Sequence, residues 1–197
     1  MRPSASLRTA GLPSVSRPSA GRPSVSRPTV SRIATALLLT ACVAAPALAQ
    51  QGPPPPRARG PALELAVEAA QIAVRTCLAN GYRTTALVTD SAGVPVAMLS
   101  ADGAAAITQV IAPRKIATVM RYKVASGVVA ERLKTDAALA QAVKDDPAIA
   151  GMAWPGAFPL MAGDAMVGAI AVSGAPGGDK DEACARPAIA AIAARLK

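Results

Sequence analysis

The chain has 197 residues, is 52% hydrophobic and carries a formal charge of +9 with no histidine. Six of its 21 Lys+Arg and none of its 12 acids precede Gln50, so the remainder is only mildly basic, at +3. With just four aromatic residues (Tyr82, Tyr122, Trp154 and Phe158), this argues against a nucleic-acid surface, which needs clustered cations and stacking rings.

The first 32 residues repeat a short Ser/Arg/Pro unit, as in "SRPSAGRPSVSRPTVSR", with no apolar period, and predict disorder. An apolar core from Ile33 to Ala45 and the small residues Ala47-Leu48-Ala49 then read as a secretory signal cleaved between Ala49 and Gln50. The mature protein is expected to be periplasmic or secreted. The apolar run is too short for a membrane span. Leu39-Thr40-Ala41-Cys42 also resembles a lipoprotein box, the competing reading, in which lipidation at Cys42 would attach the protein to a membrane. Residues 1–49 are thus a leader, residues 50–61 ("QQGPPPPRARGP") a solvated proline-rich linker, and residues 62–197 a single domain.

Within that domain, Leu63, Val67, Ala70, Val74 and Cys77 recur at helical spacing until Asn80-Gly81 stops the helix. "TTALVTD" and "VPVAMLS" predict a hairpin turning through Asp90-Ser91-Ala92-Gly93, with Asp90 and Gly93 as turn residues. Asp102 reads as a further turn or a helix cap. Residues 106–125 and 126–146 predict two helices, the second ended by Asp145-Asp146-Pro147. "FPLMAGDAMVGAIAVSG" predicts a second hairpin, and a closing helix follows from Asp179 to Leu196.

Between hairpin and helix, "VSGAPGGDKDEACA" poses a choice between a phosphate cradle and a turn. Asp179, Asp181 and Glu182 would place three carboxylates where a bound anion must sit, so Gly174, Gly177 and Gly178 read as the turn. Asp179 with Glu182 fits a capping box. The element order predicts an α+β fold, an antiparallel sheet with helices packed on it. Cys77 and Cys184 read either as two buried thiols or as a disulfide, which requires the first and last helices to be neighbours.

Three segments, "VGAIAVSGAPGGDKDEACA", "DSAGVPVAMLSADGA" and "PRKIATVMR", resemble the GlcG/HbpS-type haem-binding or haem-degrading family, a likeness extending over Ala62 to Lys197. The resemblance implies a profilin- or PAS-like sheet flanked by helices, homo-oligomeric assembly and haem as the candidate cofactor. It also implies a site near Lys115 and Thr118, which match the family's lysine and threonine. Ile107 stands where relatives usually carry histidine, and the family's glycine-rich loop becomes Pro155-Gly156-Ala157-Phe158-Pro159.

Without histidine, haem iron would need Tyr122, Met120, Met98, Met152 or Met161, or the weak oxygen of Thr118. The blander expectation makes the methionines core or rim filler and Arg114-Lys115 a solvated helix face. No metal cluster and no Ser/His/Asp or Cys/His constellation can be drawn. The leading function is an exported small-molecule-binding module, its pocket lined by Trp154, Phe158 and the Arg114-Lys115-Thr118 helix, with Tyr122 nearby. The alternatives are an enzyme that degrades haem or acts on a small organic acid held by Lys115 or Arg114, and a ligand-free oligomeric interaction protein.

Overall fold

The computed structural model describes residues 58–197. The expected leader and signal cleavage site, Cys42 and most of the proline-rich segment lie outside the described residues. Helix α1 (Leu63–Ala79) is followed by strands β1 (Thr85–Asp90) and β2 (Pro95–Ser100) and helices α2 (Thr108–Tyr122), α3 (Ser126–Arg132) and α4 (Ala137–Asp145). Strands β3 (Ala157–Ala162) and β4 (Ala165–Ser173), helix α5 (Gly178–Ile192) and a short 3-10 turn (Ala193–Arg195) complete the domain. The sheet is antiparallel in the order β2-β1-β4-β3. The expected α+β architecture is therefore the observed one.

Strand alternation divides the core between the two faces of the sheet. Ala86, Val88, Leu160, Ile170 and Val172 face α1 and α5, whereas Leu87, Ala169 and Ala171 face Ala112, Ile116 and Val119 of α2. A satellite cluster of Val129, Val143, Ile149 and Ala153 holds α3 and α4, with Tyr122 packed against it. Among the described residues no helix is long and apolar enough to cross a membrane.

Several expectations change in detail. Leu63 is exposed and Val67 only half-buried, because α1 turns its alanines inward, with Ala66, Ala69, Ala70, Ala73 and Cys77 fully buried. Small side chains let α1 lie close to α5, and there Cys77 and Cys184 form a disulfide with Cα atoms 5.3 Å apart. The single helix expected over 126–146 is two helices. The Asp136 carboxylate accepts the Leu139 N–H at 2.8 Å and starts α4 as its N-cap. The folded body also begins before Ala62, since the Ser91 N–H donates to the Arg59 carbonyl and Pro61 is buried.

Both hairpins turn where expected. Asp90 Oδ1 accepts the N–H groups of Ala92 and Val94, each at 2.9 Å, and the Gly93 N–H donates to the Asp90 carbonyl. Asp102 sits in a turn and caps nothing, because α2 begins at Thr108 with no side-chain cap.

Candidate functional site

Where β4 hands over to α5, the chain must turn in little space. Gly174 has φ +127°, and a Cβ there would lie 2.8 Å from the Arg83 carbonyl oxygen, so only glycine fits. Gly177 is the N-cap of α5 and Gly178 its first residue. This turn, the first half of α2 and the loop at Trp154-Pro155 enclose a cavity of about 540 Å³. Ile107, Ile111, Trp154 and Pro155 give it apolar walls, and Lys115 and Asp181 lie at its base.

Lys115 is the largest fully buried side chain of the domain. Its Nζ donates to Asp181 Oδ2 at 2.6 Å and to the Val172 carbonyl at 2.9 Å, while Asp181 Oδ1 accepts the Ala175 N–H at 2.9 Å. An ammonium has three N–H groups, and these partners use two. Burial pulls the Lys115 amine below the ordinary lysine range, against the opposing attraction of Asp181 and Glu182. Burial likewise lifts the Asp181 carboxyl above its ordinary range, against Lys115 and the amides of Ala175 and Gly174. Desolvation thus outweighs attraction on both partners, as for a dry ion pair.

Two readings of the sequence are corrected here. Lys115 is not on a solvated helix face, because α2 directs it at the end of β4, where Asp181 receives it. Asp179 and Glu182 form no capping box, because the N-cap of α5 is Gly177 and no side chain caps the helix. Asp179 falls inside the first turn, and Glu182 pairs with Arg186 at 3.1 Å. The residue that reaches back is Asp181, whose partner stands 66 positions earlier. The glycine-rich turn expected to be scaffold alone also forms one wall of the cavity.

The six candidate ligand residues do not converge. Lys115 and Trp154 share the cavity, with Trp154 about half exposed at its mouth. Arg114 turns to the Met152 Sδ at 3.4 Å, and the buried Thr118 hydroxyl donates back to the Arg114 carbonyl at 3.1 Å. Tyr122 belongs to the satellite cluster. Phe158 follows the strand alternation of β3 to the α5 side, where the Arg186 guanidinium lies 4.9 Å from its ring centre. Ile107 is exposed at the cavity wall. Asp181, Thr108, Ser173 and Ile111 line the cavity without having been singled out as ligand residues. Asp181 carried a signal, as one of several acids beside a glycine turn, but nothing in its neighbours marked it as buried.

A family model described as "Haem degrading protein HbpS-like" matches residues 62–190. The chain belongs to this family. HbpS itself is 34% identical over 74% of this chain and 98% of its own, with a TM-score of 0.60. A double mutant of HbpS from Streptomyces reticuli gives 33% identity, coverage of 76% and 98%, and a TM-score of 0.61. A PduOC:heme complex is similar in fold alone, at 20% identity, coverage of 68% and 95%, and a TM-score of 0.61. No curated protein sequence matches.

Family membership makes haem the group to test against these residues. The cavity lining contains no imidazole, thiolate, thioether or phenol, so its donor set does not fit haem iron. A second groove, between the end of α2, β3 and α5, does carry such a donor. There Met161 is exposed beside Phe158, Val124 and Ile189, and Lys123 and Arg186 stand at the same groove. Among the described residues no three metal-binding side chains of the His, Cys, Asp or Glu type come together.

Proposed function

We propose that this member of the HbpS-like family is a small-molecule-binding module whose organic ligand occupies the cavity between α2, Trp154 and the Gly174–Gly178 turn. One observation carries this reading: an apolar cavity large enough for a ligand has the buried, hydrogen-bonded Lys115–Asp181 pair at its base. Apolar walls supply affinity, and the buried pair supplies orientation to a polar end of the ligand. Trp154 is the only tryptophan of the chain, so its emission reports on this cavity alone. Titration of the full chain with phenylethanol and phenylacetaldehyde should change that emission saturably. A linear response with no saturation in either titration overturns the assignment.

Haem binding is a second reading, favoured by the Met161 groove. Met161 would supply the thioether, with Lys123 and Arg186 facing the propionates, and bound haem would bring redox chemistry of its own. Haemin added to the protein should give a shifted Soret band that Met161→Ala abolishes while a Trp154→Phe variant keeps it. An unshifted band in the unmodified protein removes this reading.

Export of this chain is our proposal too, supported by the Cys77–Cys184 disulfide, a bond of oxidising compartments. N-terminal sequencing of protein recovered from outside the cytoplasm should begin at Gln50. A chain still starting at Met1 contradicts cleavage there.

A further inference from the structure

We propose that Lys115 captures small aldehydes or ketones with an apolar body, holding them covalently as a protonated imine in the cavity beside Trp154. The inference rests on the reading of this cavity as the ligand site and adds to it a reaction.

The geometry assembles what imine formation requires. A lysine nitrogen at the base of an apolar pocket has a carboxylate 2.6 Å away to take its proton and return it. The backbone comes close to the amine, which also donates to the Val172 carbonyl at 2.9 Å. At Gly156 (φ +125°) a Cβ would lie 2.6 Å from Nζ and 2.8 Å from the Asp181 Cβ, so any larger residue would crowd the pair. The charged groups acting on Lys115 are Asp181 and, at greater distance, Glu182, both from α5. Burial favours the uncharged amine that attacks carbonyls.

The step balances without redox change or co-reactant. Lys115 Nζ passes one proton to Asp181 Oδ2, and its lone pair then forms the C–N bond as the carbonyl π bond breaks. One further proton moves from nitrogen to the former carbonyl oxygen, giving a carbinolamine. Asp181 protonates the hydroxyl, the C–O bond breaks and water leaves. The product is a protonated imine facing a restored carboxylate. Asp181 is the proton carrier, and the apolar walls hold the carbonyl compound's body while excluding bulk water.

The test uses the full chain, phenylacetaldehyde and a borohydride reductant, with the reduced adduct located by peptide mass mapping. The unmodified protein should carry the adduct on Lys115 before the exposed Lys134 is labelled. Lys115→Arg, which keeps a cation for Asp181, should lose that adduct. Asp181→Asn should slow adduct formation by more than it weakens the Trp154 response to phenylethanol. Should Lys115→Arg fail to fold, the map of the unmodified protein decides alone. Label on exposed lysines with Lys115 bare overturns the proposal. If Trp154 responds to both phenylethanol and phenylacetaldehyde but Lys115 stays bare, only the covalent step falls. If neither compound moves Trp154 and Lys115 is bare, the cavity assignment falls with it.

Discussion

The two faces of the sheet are built on opposite principles. Toward α1 and α5 the interior is aliphatic, built of alanine, valine, isoleucine and leucine and stitched by the Cys77–Cys184 disulfide. Toward α2 the interior includes Thr85, Thr89, Thr108, Thr118, Ser126, Ser173 and Lys115, nearly all of them hydrogen-bonded. A chain of hydroxyls runs from Ser100 through Thr85 to Thr108, at 2.8 and 2.7 Å. An apolar face needs only volume and pattern, whereas buried polar groups cost stability unless each finds a partner. Thr108, Ser173 and Lys115 of this polar face line the cavity proposed as the ligand site.

The comparison can be broken most severely on the polar face. Lys115→Ala should destabilise the domain by about 3–5 kcal/mol, because Asp181 is left buried and unpaired. Replacing both partners with apolar residues of similar volume, as in Lys115→Met with Asp181→Leu, should recover much of that loss. Denaturant unfolding of the two variants tests the difference, and equal losses would mean that the pair has no special role. On the apolar face, Cys184→Ser opens a cross-link spanning 107 residues and should cost roughly 2–5 kcal/mol by the same measurement. Ligand binding in the cavity should survive it, as judged by Trp154 emission.

Smaller effects sharpen the contrast. Asp136→Ala removes the cap of α4, remote from both faces, and should cost about 1 kcal/mol with no change at the cavity. Glu68, joined to Arg195 at 2.7 Å on the surface, is held below the ordinary glutamate value of 4.5, first by its hydrogen bond to Arg195. A lowered folded-state pKa stabilises the fold above the unfolded value, and this contribution is lost as pH falls through the folded one. Glu68→Gln should therefore lower Tm slightly at neutral pH and match the parent in acid. The exposed pair is worth too little for more.

How much was legible in the sequence follows the same division. The hairpins were readable because Asp90 and Gly93 carry their turn chemistry locally, and the β4–α5 turn because glycines cluster there. The break between α3 and α4 was hidden, since Asp136 caps from within an uninterrupted helical pattern. In α1 the expected stripe holds at Ala70, Val74 and Cys77, but Leu63 and Val67 give way to Ala66, Ala69 and Ala73, because α5 and the disulfide demand a close approach. The site was least legible. Lys115 beside Arg114 has the local look of a solvated surface, and its burial depends on a carboxylate 66 residues away. The Asp179–Glu182 spacing imitated a cap while Asp181 between them carried the pair. Family resemblance pointed to Lys115, but the geometry alone supplies its partner, its burial and the cavity it faces.

An amide chemical-shift map recorded during titration with phenylethanol tests the central claim most directly. Perturbations should gather at Ile107, Ile111, Lys115, Trp154 and the Gly174–Gly178 turn. Shifts confined to Phe158, Met161 and Ile189, with that turn unmoved, would contradict the account and move the binding site to the opposite groove.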